Sequence, residues 1–219
     1  MVATEKRTIA ILGGTGDLGS GLAKRWLATG HTVMIGSRSS EKAQDFARQL
    51  GNNAQGFDNL NAAKAADIIV LAVPFSSHEA TINEIKDAVH GKIVVDAAVP
   101  LVPPKVSIVQ LPAEGSAAQI AQRLFGDGVK VVSAFHNVGA KKLQAGERVD
   151  CDVLVFGDDK ESREIVIALA GEIGTRGVDG GVLANSVAAE ALTSVLIAIN
   201  RRYKVPGAGI HITGLPSAG

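Results

Sequence analysis

The chain has 219 residues, 46% of them hydrophobic and 20% charged, and its 22 basic side chains are matched by 22 acidic ones. This balance excludes the broad cationic field of a nucleic-acid binder, and the apolar content excludes a disordered chain. Such a length gives one large domain, or a domain with a small annex, burying roughly 70% of its unfolded surface with no need of a metal or disulfide. The single Cys151 has no partner for an internal bridge, which fits a reducing compartment.

Residues 1 to 8 are polar and run straight into Ile9–Leu12 without the apolar stretch of a signal peptide. The longest apolar candidate, Val187 to Ile199, is interrupted by Glu190, Thr193 and Ser194, short of the roughly 18 residues that suggest a membrane span. A cytoplasmic protein without membrane contact is the expectation.

From Ile9–Leu12 onward, apolar strand-like runs alternate with helical patterns. Directly after the first run stands Gly13-Gly14-Thr15-Gly16-Asp17-Leu18-Gly19, in which Gly14, Gly16 and Gly19 fit the G-x-G-x-x-G spacing. A pyrophosphate approaches only a bare main chain, and the helix that follows turns its free N–H groups and positive dipole end toward it. That helix is predicted over Leu18 to Thr29, with Leu18, Leu22 and Trp26 on one stripe. A structural turn, or another nucleotide-like ligand, is the competing explanation of the glycines.

The next run, Thr32–Ile35, leads into Gly36-Ser37-Arg38. A site for the unphosphorylated dinucleotide normally carries Asp or Glu here to bond the ribose 2′-hydroxyl. A hydroxyl and a guanidinium instead suit a 2′-phosphate, and Lys42, one helical turn further, adds a second cation. The spacing therefore points to NADP, the plain alternative being that Arg38 and Lys42 are solvated surface cations. A second helix is predicted between Ser39 and Gly51.

Ile68–Val73 is a buried strand-like run whose end, Leu71-Ala72-Val73-Pro74-Phe75, places Val73 and Pro74 near the ribose or nicotinamide, or simply in the core. Lys92–Val95 follows, and beyond it Val99–Pro104 holds three of the seven prolines and reads as a loop. A helix over Ala117–Phe125 precedes the run Val129–Ser133, which ends Ser133-Ala134-Phe135-His136-Asn137. His136 is the polar aromatic at a predicted site-facing strand end, although a hydrogen-bonded structural histidine would look the same. Around residues 137 to 150 the apolar pattern breaks, and a smaller C-terminal part is expected to begin there. It holds the run Val153–Phe156, helices over Lys160–Ala170 and Ala184–Asn200, and a glycine-rich tail. Runs buried on both faces, alternating with helices, predict an α/β fold with a doubly wound parallel sheet.

Other chemistries lack their residues. Tyr203 is the only tyrosine, with Gly207 four residues later, so a Tyr-x-x-x-Lys pair is absent. Neither a G-x-S-x-G elbow nor a Walker A lysine occurs, and the five histidines lack metal-ligand spacing. Cys151 reads as a packing residue. Arg201, Arg202 and Lys204 follow the last helix, where they complement its dipole or bind an anionic group of a second substrate. Hydride transfer between carbon centres tolerates the lack of an acid/base pair, because it needs positioning above all.

Four blocks carry a resemblance: Leu12 to Gly19, Ile35 to Arg38, Ser133 to Val138, and Asn200-Arg201-Arg202-Tyr203-Lys204 with Gly209 to Leu215. Together they span nearly the whole chain, which resembles the NADPH-dependent reductases of the deazaflavin coenzyme F420. The resemblance implies a Rossmann-type NADP-binding domain at 1–137 and a smaller C-terminal part at 138–219 that helps build the deazaflavin site and a homodimer contact. It implies reversible hydride transfer between NADPH and coenzyme F420. Gly14, Thr15, Gly16, Asp17 and Leu18 would hold the pyrophosphate, and Ser37, Arg38 and Lys42 the 2′-phosphate. Val73, Ser77 or His78, Val99 and Ala140 would line the nicotinamide end, with His136, Val138 and Ala208 bordering the deazaflavin. The alternatives are an NADPH reductase of a free flavin, ferric chelate or imine, and a non-catalytic NADPH sensor.

Overall fold

The computed structural model describes residues 5–215. Thr8–Leu12 (β1), Thr32–Ser37 (β2), Ala54–Asp58 (β3), Ile68–Leu71 (β4), Ile93–Asp96 (β5), Lys130–Ser133 (β6), Asp152–Gly157 (β7) and Arg176–Gly181 (β8) form one sheet. Its order is β3-β2-β1-β4-β5-β6-β7-β8. The first six strands are parallel, β7 pairs antiparallel with β6, and β8 runs parallel to β7. The helices are Asp17–Ala28 (α1), Ser40–Leu50 (α2), Asn59–Lys64 (α3), Phe75–Ile85 (α4), Ala117–Phe125 (α5), Ala140–Gln144 (α6), Lys160–Glu172 (α7) and Ser186–Tyr203 (α8). The expected doubly wound α/β sheet is present, extended beyond residue 137 by β7 and β8.

Sequence reading missed β3 and β8. Both are edge strands with partly exposed residues, AQGFD and RGVDGG, so neither needs the continuous apolar run of a strand covered on both faces. It also missed α3, α4 and α6. The first and last have six and five residues, too short to display a helical stripe.

The sheet separates two cores. On one face Ile9, Ile11, Val33 and Ile35 meet Leu22 and Trp26 of α1 and Val166 and Leu169 of α7. Trp26 stacks edge-on to Phe135 at 5.7 Å, and its indole N–H donates to the Leu169 carbonyl at 3.1 Å. On the other face Ala10, Leu12, Ile69 and Leu71 pack under α3, α4 and α5 through Ala62, Ile82 and Ala118. These apolar layers fix the carboxyl ends of β1, β2, β4, β5 and β6 along one edge.

With the turn before it, α8 spans Leu183–Tyr203 and is long and apolar enough to cross a membrane by length and composition alone. Its buried polar residues tie it to the body of the protein instead. The Glu190 carboxyl oxygens accept the N–H groups of Ala117 and Ala118 at 2.6 and 3.2 Å, capping α5, and Ser186 Oγ donates to Ser116 Oγ at 2.8 Å.

Candidate functional site

The turn leaving β1 shows why its glycines are there. Gly13 has φ +77°, and the N–H groups of Gly13 and Gly14 both donate to the Gly36 carbonyl, at 3.0 and 3.1 Å. A Cβ on Gly14 would stand 2.7 Å from the Ile11 carbonyl oxygen; one on Gly19 would stand 2.6 Å from that of Gly13. Gly16 is the extended N-cap of α1 and supplies no side-chain cap. The first N–H groups of α1 are thus left for an anion, as the dipole at this end favours. Thr15, Gly16 and Asp17 are exposed beside them and Leu18 is half-buried.

Gly13, Thr15 and Gly16 form one wall of a cleft of about 220 Å³. Ser37 and Arg38 form the second wall, and Ala72, Val73, Pro74, Ser77 and Thr81 the third. Ser37 Oγ accepts the N–H of Ser39, and Ser39 Oγ accepts that of Lys42, so short polar bonds set the start of α2. Lys42 is exposed in the first turn of α2, outside the cleft lining. Among the described residues neither Arg38 nor Lys42 has a carboxylate within ion-pair distance.

Of the pair Ser77 and His78, Ser77 lines the cleft and His78 does not. Successive helix residues differ by about 100° in direction, so Ser77 shares a face with Thr81 while His78 turns into the protein. There its Nε2 lies 2.6 Å from Asp96 Oδ2, both side chains fully buried, with Phe75 stacked on the imidazole at 6.0 Å. Asp96 Oδ1 accepts the N–H of Ala98, which pins the chain leaving β5. Val99 lies half-buried just beyond. Ala140 opens α6, where its carbonyl packs near Gly21 of α1. Neither Val99 nor Ala140 belongs to the cleft lining.

A second pocket, of about 150 Å³, joins the end of β6 to the tail through His136, Val138, Gly139, Thr193, Asn200 and Ala208. Sequence reading expected His136, Val138 and Ala208 around one ligand, and the fold brings them together. Phe135 adopts φ +70°, a left-handed conformation unusual for a bulky side chain, immediately before His136. Thr193 Oγ1 donates to the His136 carbonyl at 3.1 Å, and Asn200 Oδ1 accepts the Ala208 N–H at 2.7 Å. Asn137 also lines this pocket, its Nδ2 donating to the Asp152 carbonyl at 2.9 Å. Burial pushes the His136 imidazole down to about 4 against the opposing charge of Asp96, so the ring is neutral at pH 7. Burial likewise pushes the Cys151 thiol up to about 11 and the Glu190 carboxyl up to about 8.

Sequence reading missed two cleft residues, Asn59 and Thr81, because α3 and α4 were not foreseen. The available signal was Asp58, an N-cap residue before an alanine-rich segment, whose carboxylate accepts the Asn61 N–H at 2.8 Å.

A doubly wound sheet with a glycine turn after its first strand, and a serine and arginine ending its second, defines the Rossmann-type NADP-dependent oxidoreductases. Residues 8–100 match the family described as NADP oxidoreductase, coenzyme F420-dependent. The F420-dependent NADP reductase of Methanocaldococcus jannaschii is 43% identical, the match covering 94% of this chain and 98% of that protein. The enzyme of the same name from Methanothermobacter thermautotrophicus is 39% identical over 99% of both chains. The crystal structure of a candidate F420-dependent NADP-reductase from Arthrobacter sp. FB24 superposes with a TM-score of 0.80 at 26% identity, covering 94% of this chain and 99% of that one. The chain belongs to the F420-dependent NADP reductase family.

Proposed function

We propose that the protein transfers a hydride reversibly between NADPH, seated in the cleft, and the deazaflavin ring of coenzyme F420, seated in the second pocket. The observation that carries this reading is their placement on one sheet edge. The cleft is built on residues following β1, β2 and β4, and the second pocket on residues following β6. Only the chain leaving β5 stands between them in strand order, and Asp96 and His78 brace it.

The residues fit the dinucleotide. The glycine turn is a cradle that a Cβ would fill, the start of α1 offers N–H groups to the pyrophosphate, and Ser37, Arg38 and Lys42 suit the 2′-phosphate. NADPH supplies the hydride. Val73, Ser77, Val99 and Ala140 border its nicotinamide end in this reading, while His136, Val138 and Ala208 border the acceptor. The protein orients two flat rings and excludes water; neutral His136 contributes shape and hydrogen bonding.

In the same reading residues 1–137 form the NADP-binding domain, and residues 138–219 complete the acceptor pocket and present α8 to a second copy. Val195 on α8 is 43% exposed, and Ala188 and Ala198 on the same side are exposed too, an apolar stripe suited to a homodimer contact in the cytoplasm.

The deciding experiment mixes the purified protein anaerobically with NADPH and either F420 or a free flavin. Bleaching of the deazaflavin absorbance is expected with F420. Reduction of the free flavin with no bleaching of F420 would overturn the assignment of the acceptor.

A further inference from the structure

Asn59, the first residue of α3, lies on the floor of the dinucleotide cleft and is 2% exposed. Its amide is used at one end only. Nδ2 donates to Glu84 Oε2 at 3.4 Å, whereas Oδ1 is buried without a hydrogen-bond donor among the described residues. A buried acceptor left unpaired is costly, and such atoms are rare in folded proteins unless a ligand completes them.

The position of this oxygen identifies the part of the ligand that it meets. A Cβ on Gly36 would stand 3.2 Å from Asn59 Oδ1, so the oxygen sits under the end of β2, just before Ser37 and Arg38. Opposite stand Pro74 and Thr81, from the chain leaving β4. A dinucleotide whose pyrophosphate rests on the glycine turn, with its 2′-phosphate at Arg38, lays its adenosine half between these walls. Adenosine offers two kinds of donor there, the ribose 3′-hydroxyl and the adenine 6-amino group. In this assignment the nicotinamide half would extend away from Asn59, toward β5.

Resting on the assignment of NADPH to this cleft, we propose that Asn59 determines specificity for the adenosine half of the cofactor, its Oδ1 accepting a hydrogen bond from an adenosine donor. The residue acts on affinity for the dinucleotide and takes no part in hydride transfer. Glu84 holds the amide so that the carbonyl end faces the cofactor.

The test compares full-length wild type with Asn59→Ala by calorimetry against NADPH, NADH and the hypoxanthine analogue of NADPH. Turnover with reduced nicotinamide mononucleotide, which lacks the adenosine half, is measured beside it. Asn59→Ala is expected to weaken NADPH and NADH by the same factor, about tenfold, and to leave kcat/KM for the mononucleotide unchanged. Wild-type preference for NADPH over the hypoxanthine analogue, lost in the variant, assigns the donor to the 6-amino group; equal affinities assign it to the ribose hydroxyl. Should Asn59→Ala fold poorly by thermal unfolding, Asn59→Ser serves in its place with the same expected pattern.

Three results overturn the proposal: unchanged affinity, a loss confined to NADPH, or an equal loss with the mononucleotide. The second would mean an effect through Arg38, and the third a purely structural role. Failure of the wild type itself to bind NADPH would instead bring down the assignment of the cleft.

Discussion

His78 Nε2 lies 2.6 Å from Asp96 Oδ2, and neither side chain reaches solvent. The pair joins α4 to the end of β5, and the second Asp96 oxygen holds the Ala98 N–H at 2.9 Å. Removing one partner of a buried pair strands the other in a medium of low dielectric. His78→Ala is therefore expected to cost about 3–5 kcal/mol in urea unfolding. Because the Ala98 segment runs between the two pockets, the variant should also lose kcat at temperatures where it remains folded.

Arg38 tests cofactor choice. A charge-assisted contact is worth about 1.5–3 kcal/mol, so Arg38→Ala should weaken NADPH by about 10- to 150-fold while leaving NADH little changed. Calorimetric titration with both cofactors measures this, and equal losses would place the guanidinium away from the 2′-phosphate.

The glycine turn makes a steric prediction. In Gly19→Ala the new methyl group would lie 2.6 Å from the Gly13 carbonyl oxygen and 2.8 Å from the Gly14 Cα. Backbone cannot swing aside as a flexible side chain does, so α1 must retreat from the turn. The expected result is a stability loss of about 1–3 kcal/mol with a larger proportional loss of NADPH affinity, read from thermal unfolding with and without the cofactor.

Glu190 predicts a pH dependence of stability. Burial, aided by the charge of Asp96 and opposed by the amides of Ala117 and Ala118, raises its carboxyl from 4.5 to about 8. Between those values the folded protein holds a proton that the unfolded chain has released. Its contribution is therefore fully present below pH 4.5 and is lost as pH rises through about 8. Glu190→Gln removes the titration, so its Tm relative to wild type should climb between pH 4.5 and 8 and level off above. His136, lowered from 6.5 to about 4, adds an opposite slope between those values, but it does so in both proteins and cancels from the difference.

His136→Ala separates the two pockets. His136 lines the one that also holds Val138 and Ala208, and it is absent from the lining of the dinucleotide cleft. Steady-state kinetics should show a raised KM for F420 with NADPH affinity unchanged. A matching loss for NADPH would mean that the imidazole supports the whole sheet edge.

Sequence alone determined the features that depend on local chemistry. The glycine spacing after Ile9–Leu12 announced a close backbone approach, and Ser37 and Arg38, read as a phosphate site, do line the same cleft as that turn. The apolar runs of β1, β4 and β5 announced strands covered on both faces, because burial on two sides leaves a continuous signature. Tertiary structure decided what depends on direction and on distant segments. Edge strands β3 and β8 bury too little to mark the sequence, and with β3 unseen Asn59 had no place in the cleft. Ser77 and His78 are neighbours in the chain, yet one lines the cleft and the other meets Asp96, since a helix turns about 100° between them. The second pocket draws His136 and Ala208 from segments 72 residues apart, held by Thr193 and Asn200 of α8. That meeting depends on α8 docking through the buried carboxyl group of Glu190, a contact between segments that local spacing does not encode.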